Sequence, residues 1–191
     1  MKILCIIPIY NEESRLKSLI EKILQFKKVD LRKIDFMMIN NGSNDGTKKL
    51  LKDLGLNFIT LRKNKGIGYS LLLGLKLAAR KNYDVLIHMA GNDKMTPFDL
   101  DKMIDPIINH NFDYVCGSRF LEKKNFKTNP LFRKVSIRLM SIFFSVIFKK
   151  KITDATCGFR AFKVEKLIGY FNFLNKKRYN TYGYEYYSYG K

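Results

Sequence analysis

A short polar turn, Asn92-Asp93-Lys94, follows an apolar segment, Val85 to Met89, that has the composition of a buried strand. Ligands of open α/β sheets bind at the carboxyl edge of the strands, so this turn is placed for chemistry. Mg²⁺ and Mn²⁺ prefer oxygen ligands, and in phosphate-handling sites they commonly take one or two carboxylates together with substrate phosphates. The turn has one carboxylate, Asp93, beside the Asn92 amide, so it predicts a weak cation site at Asn92 and Asp93.

The turn belongs to an alternation of strands and helices. Apolar runs predict strands at Lys2 to Pro8, Asp35 to Asn40, Leu56 to Leu61, Val85 to Met89 and Asp113 to Ser118. Helical spacing of apolar residues predicts helices at Glu12 to Phe26, Leu50 to Leu54, Gly68 to Arg80, Phe98 to Asn109 and Val135 to Phe148. Short connections between these elements predict an α/β domain with a mostly parallel central sheet flanked by helices.

The length, charge and cysteine content of the chain limit the classes of protein to which it can belong. The chain has 191 residues, enough for one domain with a substantial core, and a formal charge of +19 that favours polyanionic partners. The three cysteines are widely spaced and predict buried thiols in a reducing compartment. The first residues lack the length of a signal peptide and predict a strand. The carboxyl end, from Arg178, has no clear terminating element, which is compatible with a fragment of a longer chain.

Several common sites are excluded or disfavoured. Gly66 and Gly68 open a helix, where backbone N–H groups can hold phosphate, but Leu71 stands where a dinucleotide fingerprint needs glycine. No Gly-Lys-Ser/Thr motif occurs, and no serine has triad-like partners. His88, inside an apolar strand, is interpreted as a core residue. Basic residues are spread over every segment without an RNA-binding signature, so nucleic acid is not expected as a partner.

Six motifs occur in the order typical of family-2 glycosyltransferases: IIPIYNEE, NNGSNDGT, NKGIGYSLLLGLKLA, MAGND, GSRF and DATCGFRAF. The chain resembles this family over residues 2–187, and within it the branch that includes dolichol-phosphate mannosyltransferase and bacterial polyprenyl-phosphate glycosyltransferases. The resemblance implies a GT-A fold, a nucleotide-sugar donor and an inverting hexosyl transfer.

The resemblance also implies roles for individual residues. Nucleotide binding is expected from Pro8, Tyr10, Glu12, Asn40, Lys65, Gly68 and Gly91. Asn40 stands where the family usually has an aspartate that contacts the base. An amide offers one acceptor and two donors, so we hypothesise that Asn40 favours uracil over guanine; alternatively, it only caps its turn.

The catalytic candidates are Asp93, Arg119 and Asp154, and the acceptor phosphate is expected at Arg119 and Arg133. The acidic pair of the family falls on Ala90 and Asn92, so both usual carboxylates are missing. Asn92 and Asp93 are therefore the remaining candidates for Mg²⁺ or Mn²⁺, and otherwise Lys94 and its basic neighbours neutralise the diphosphate.

A lipid phosphate is already an anionic nucleophile at neutral pH, so the absence of an evident base favours a polyprenyl-phosphate acceptor. If the acceptor is instead a glycan hydroxyl, Glu185 is the candidate base. The missing acids also leave open a catalytically weak nucleotide-sugar binder.

Residues 133–151 predict a helix at the membrane interface, with basic flanks that suit an anionic surface. The alternative is an ordinary core helix. The first interpretation places the protein at the cytoplasmic face of a membrane, peripheral to the bilayer.

Overall fold

The computed structural model describes residues 1–121 and 131–175. The strands are β1 (Ile3–Ile9), β2 (Asp35–Asn40), β3 (Phe58–Thr60), β4 (Val85–His88), β5 (Tyr114–Cys116) and β6 (Arg160–Lys163). The helices are α1 (Glu13–Val29), α2 (Thr47–Asp53), α3 (Ile67–Arg80), α4 (Leu100–Asn109), α5 (Leu131–Phe148) and α6 (Val164–Asn175).

One six-stranded sheet has the order β3-β2-β1-β4-β6-β5. The pairs among β1 to β4 are parallel, whereas β6 is antiparallel to both β4 and β5. Because β6 alone is reversed among these strands, the prediction of a mostly parallel α/β sheet is confirmed. The carboxyl ends of β1, β2 and β4 consequently meet at one edge.

Both faces of the sheet are covered. Alternate residues of β1 point to opposite sides: Ile3, Cys5 and Ile7 pack with α1 and α4, while Leu4 and Ile6 pack with α3 and α6. A strand buried on both faces has no polar side to show, which explains why β1 is apolar almost throughout.

The structure departs from the predicted elements at two places. Helical spacing places Leu24 with the apolar residues of α1, yet it is half exposed, and Phe26 is buried instead. The strand β6 and the helix α6 were not predicted, because β6 has only four residues and begins with an arginine. Tertiary packing decides such a short strand, since Arg160 is itself buried.

Helix α5 is held to the protein partly through serines. Ser141 Oγ accepts from the Ala155 backbone N–H (3.0 Å), and Ser145 Oγ accepts from that of Ile152 (2.9 Å), while Ile137 is buried beside them. Its outer side carries exposed apolar side chains, with Leu139 63% and Phe143 60% exposed. This exposure differs from that of an ordinary core helix, and the membrane-interface helix stays a prediction.

Within residues 1–121 and 131–175, no helix is both long enough and apolar enough to span a bilayer.

Gly91, in the turn after β4, lies directly against the end of β1 at the sheet edge. A Cβ at Gly91 would lie 2.7 Å from Ile9 Cγ1 and 2.8 Å from the Pro8 carbonyl oxygen, and backbone cannot yield as a side chain can. We expect Gly91→Ala to lower the free energy of unfolding by about 1–3 kcal/mol in urea titrations. Gly169→Ala is the matched control: its Cβ meets open space in α6, so it should stabilise by up to about 1 kcal/mol. Equal stability of the two variants would contradict the proposed contact.

Candidate functional site

The turns that follow β1 and β2 are joined by reciprocal hydrogen bonds. Ser43 Oγ accepts from the Asn11 N–H (3.0 Å), and Thr47 Oγ1 accepts from the Glu12 N–H (3.1 Å). In return, Asn11 Oδ1 accepts from the Asn44 N–H (3.0 Å). Side chains of each turn thus satisfy backbone donors of the other, and the pair forms one preorganised edge.

Three residues predicted to bind the nucleoside lie at the β1 side of this edge. Tyr10 is exposed and Pro8 is half-buried. Glu12 accepts from Arg15 Nη1 at 3.1 Å, an ion pair within the first turn of α1. The structure thus brings Pro8, Tyr10 and Glu12 to one place, and their contact with a nucleoside stays a prediction.

Asn40 is fully buried at the end of β2. Its Oδ1 accepts from the Ser43 N–H at 3.0 Å, which is the turn-capping geometry of the alternative interpretation. Its Nδ2 has no hydrogen-bond partner among the described residues. Since the side chain is enclosed, a base contact would require this turn to open.

Asn41 attaches the loop before α3 to the sheet edge. Its Nδ2 donates to Asn64 Oδ1 (3.1 Å) and to the Gly66 carbonyl (3.2 Å), while its Oδ1 accepts from the Lys65 N–H (3.0 Å). The family resemblance places Asn41, like Asn40, at a position usually occupied by an acid, but it did not indicate this role. The signal was available in principle: a carboxylate cannot donate, so an amide at such a position indicates acceptors opposite it.

Lys65 and Gly68 lie in and beside the loop that Asn41 attaches to the sheet edge. The Lys65 Nζ stands 4.5 Å from the centre of the Tyr69 ring, a cation–π contact at the surface. Gly68 is the second residue of α3. Both residues are at the predicted edge of the sheet, and neither lines the cleft described next.

A cleft of about 710 Å³ opens beside the end of β4. Four of its lining residues are basic: Lys94, Lys102, Arg119 and Arg133. Asn92 also lines it, so the structure brings together the 92–94 turn and both predicted phosphate-binding arginines. Asp99 is the one carboxylate among the described lining residues, and it pairs with Lys102 at 2.9 Å.

Arg119 is oriented by Asp154. The guanidinium donates from Nε to Oδ2 (2.7 Å) and from Nη2 to Oδ1 (2.9 Å), and the Arg119 backbone N–H also donates to Oδ2 (3.1 Å). Nη2 contacts Thr156 Oγ1 as well. The Asp154 side chain is wholly buried, so it does not reach a substrate in the cleft and acts as a positioning residue.

The electrostatics of this pair follow from the same contacts. Burial by itself would raise the pKa of the Asp154 carboxyl, but the hydrogen bonds and charge of Arg119 outweigh it and hold that pKa below its usual value. The hydrogen bonds from Arg119 to Asp154 likewise raise the pKa of the guanidinium. Arg119 therefore presents a permanent positive charge to the cleft in a fixed orientation.

Asp93 does not stand ready as a metal ligand. Its carboxylate accepts from Lys22 Nζ (2.8 and 2.9 Å) and from Ser18 Oγ (2.8 Å), both on α1. Asn92 Oδ1 accepts from the Lys94 N–H at 3.3 Å. In the described ranges no three His, Cys, Asp or Glu side chains are grouped closely enough to hold a metal ion. The described residues of this turn thus do not fit Mg²⁺ or Mn²⁺.

Sequence reasoning missed Lys22 and Ser18 as partners of this turn. They stand four residues apart on α1, so they share one helix face, and that spacing was the only available signal.

His88 is buried, as predicted for a core residue. Its Nδ1 faces the Gly158 carbonyl, so this nitrogen carries the proton in the neutral ring. Burial lowers the pKa of His88 to about 4.

The three cysteines are free thiols: Cys5 and Cys157 are buried, whereas Cys116 is half-buried and lines the cleft with Cys157. Glu185, the candidate base for a glycan acceptor, lies outside the described residues.

Comparisons with known proteins agree on the family. The family model for glycosyl transferase family 2 matches residues 4–171. A UDP-N-acetylglucosamine–dolichyl-phosphate N-acetylglucosaminyltransferase of Methanococcus voltae is 32% identical over 92% of this chain and 75% of its own. A polyprenol monophosphomannose synthase of Mycolicibacterium smegmatis is 26% identical over 86% of this chain and 62% of its own.

A solved structure shares the fold. Glucosyl-3-phosphoglycerate synthase of Mycobacterium tuberculosis, crystallised with Mn²⁺, UDP and glucosyl-3-phosphoglycerate, gives a TM-score of 0.62 at 15% identity. The match covers 86% of this chain and 57% of that one, so the present chain spans little more than half of the solved protein. This likeness confirms the predicted GT-A fold.

The buried imidazole of His88 predicts a pH dependence of stability. The unfolded chain takes up a proton near pH 6.5 and the folded chain only near pH 4, so stability is complete above the first value and falls as the pH drops towards the second. The loss from this group is about 3 kcal/mol across that window. In urea unfolding at several pH values, His88→Asn should be less stable at pH 7 but lack this part of the slope. An unchanged slope would contradict the assignment.

Proposed function

The chain belongs to glycosyltransferase family 2, and from that premise we propose that it transfers a sugar, with inversion, from a uridine diphosphate sugar to a polyprenyl phosphate. The observation that carries the proposal is that Arg119 and Arg133 line one cleft, beside the turn that ends β4. An arginine can bind a phosphate head group through two parallel hydrogen bonds. Arg133 is assigned this contact, while Arg119, whose Nε and Nη2 donate to Asp154 and Thr156, contributes its charge beside it.

The charge balance of the cleft supports an acceptor that is already ionised. A hydroxyl acceptor needs a general base, and Asp99, the one carboxylate among the described lining residues, is committed to Lys102. A phosphate oxygen needs no deprotonation. It attacks the anomeric carbon from the side opposite the nucleoside diphosphate, forming the new C–O bond as the bond to the departing diphosphate breaks. Arg119, fixed by Asp154, orients that oxygen and compensates its charge.

The donor base is proposed as uracil on two grounds. The Methanococcus voltae relative is named for a UDP-sugar donor. The amide of Asn40, if its turn opens to the base, can match the donor and acceptor that uracil presents side by side.

The exposed apolar side of helix α5 is the proposed contact site for the membrane that holds the polyprenyl chain. Arg133, in its first turn, lines the cleft, and the exposed apolar face of the same helix continues away from it. We propose that this face lies in the headgroup region of the cytoplasmic leaflet, with the basic residues around it on anionic lipids. Each such residue contributes on the order of 1 kcal/mol near an anionic surface. The phosphate head of the acceptor then enters the cleft while its chain stays in the membrane.

Replacing Arg133 tests the acceptor site. With UDP-N-acetylglucosamine or UDP-glucose as donor and a polyprenyl phosphate in detergent, Arg133→Gln should raise the KM for the lipid phosphate about tenfold or more, since a charge-assisted hydrogen bond is lost. Binding of UDP should weaken much less than the KM for the lipid phosphate rises, because Arg133 is only one of four basic residues that line the cleft. Arg138→Gln is the matched control, because Arg138 is exposed on the same helix and does not line the cleft. Equal effects of both variants, or transfer only to glycan hydroxyls, would contradict the proposed acceptor.

Replacing the outer face of α5 tests the membrane contact. We expect Leu139→Gln with Phe143→Gln to lower partitioning onto phosphatidylglycerol liposomes about tenfold or more in cosedimentation at low salt, because two exposed apolar side chains are lost. Phe144 is left in place because it stacks on Phe148. The control pair, Leu31→Gln with Phe112→Gln, removes exposed apolar side chains distant from α5 in sequence and should bind as wild type does. Wild-type binding by the α5 variant would exclude this face.

A further inference from the structure

The two positions of the family's acidic pair are Ala90 and Asn92 in this chain, so neither has a carboxylate. The one carboxylate of the turn, Asp93, is paired with Lys22. We infer that this chain binds the diphosphate of its donor without a divalent cation, through the cationic side chains of the cleft. The inference rests on the proposed nucleotide-sugar donor and concerns how that donor is held.

The first observation is that Asp93 has an internal cation. Lys22 Nζ lies 2.8 and 2.9 Å from its two carboxylate oxygens, and Ser18 Oγ lies 2.8 Å from Oδ2. The Asp93 side chain is only 17% exposed. A divalent ion would have to displace an ammonium that is tethered to α1 and already well placed. Asp93 is therefore a tie between the turn and α1.

The second observation is that the other positions of the turn offer no hard anionic ligand. Ala90 has no side-chain donor atom, and Gly91 packs on the Pro8 carbonyl. Asn92 contributes a neutral amide oxygen that already accepts from the Lys94 N–H. Mg²⁺ and Mn²⁺ sites of this kind draw on at least one carboxylate. The turn does not supply one that is open.

The third observation is that positive charge is present on the cleft wall itself. Lys94 is exposed and lines the cleft next to Asn92, and Lys102, Arg119 and Arg133 line it as well. Ammonium and guanidinium groups bind phosphate oxygens through charge-assisted hydrogen bonds and do not depend on a dissociable ion. Lys94, the basic residue of the turn, is the residue assigned to the diphosphate.

The test is the dissociation constant of UDP for the full chain, measured by calorimetry in Mn²⁺ and in EDTA, with GDP in parallel. We expect the UDP constants in the two conditions to agree within about threefold. Binding that appears only with Mn²⁺ would overturn this inference and leave the proposed donor standing. If neither nucleotide binds in either condition, the proposed donor fails and the inference fails with it.

Variants sharpen this result. Lys94→Gln should weaken UDP binding in EDTA about tenfold, and Lys76→Gln, an exposed lysine on α3, is the matched control that should not. Asp93→Asn should lower the melting temperature but leave the ratio of the two constants unchanged. Ala90→Asp with Asn92→Asp, which restores the acidic pair, should make binding tighter in Mn²⁺ than in EDTA. If the wild type binds UDP only with Mn²⁺, and Asp93→Asn abolishes that Mn²⁺-dependent binding, Asp93 is a metal ligand and the inference is wrong.

Discussion

The buried carboxylate of Asp154 is the constraint on which the cleft depends. A carboxylate with no exposed side-chain surface must be paired, since an uncompensated buried charge costs several kcal/mol. Arg119 satisfies it with a two-point fork and a backbone N–H, which ties the end of β5 to the segment before β6. The next residue, Ala155, donates its N–H to Ser141 and so anchors α5. The cleft wall, Arg119 and helix α5 are therefore all held through the segment that contains Asp154 and Ala155.

At the other side of the sheet edge, amide and hydroxyl side chains act together with two carboxylates to hold the turns after β1 and β2. Asn40 caps its own turn, and Asn41 both donates to and accepts from the loop before α3. A carboxylate at position 41 could not donate to Asn64 and Gly66, so the loss of the acid has a structural reason besides any effect on ligands. Gly42, with a φ of 75°, lets that loop cross closely. The carboxylates of Glu13 and Asp45 complete this edge by accepting from the backbone N–H groups of Gly46, Glu13 and Thr47.

The basic lining of the cleft matches the chemistry proposed for the protein. The proposed acceptor and leaving group are both anionic, and four basic side chains line the cleft, of which Lys102 pairs with Asp99 and Arg119 with Asp154. The helix that contributes Arg133 turns apolar side chains outward, so a substrate with a charged head and an apolar chain suits both surfaces. An exposed apolar surface of this kind favours association.

Much of the fold could be predicted because local sequence patterns specify it. Two-sided burial makes β1 and the interior of β2 and β4 largely apolar, helical spacing marks α1 and α3, and the ordered motifs identify the family. Arg119 was found in the GSRF motif, and Arg133 through its match to a position that the family uses for phosphate. Tertiary structure decided what depends on partners far apart in the chain: the pairing of Asp93 with Lys22 across 71 residues, and of Asn41 with Asn64 across 23. It also decided the reversed strand β6 and the outward face of α5, since an apolar helix of this length reads the same in sequence whether it is buried or exposed. Hydrogen-bond partners and exposure are properties of the packed chain, and no local pattern specifies them.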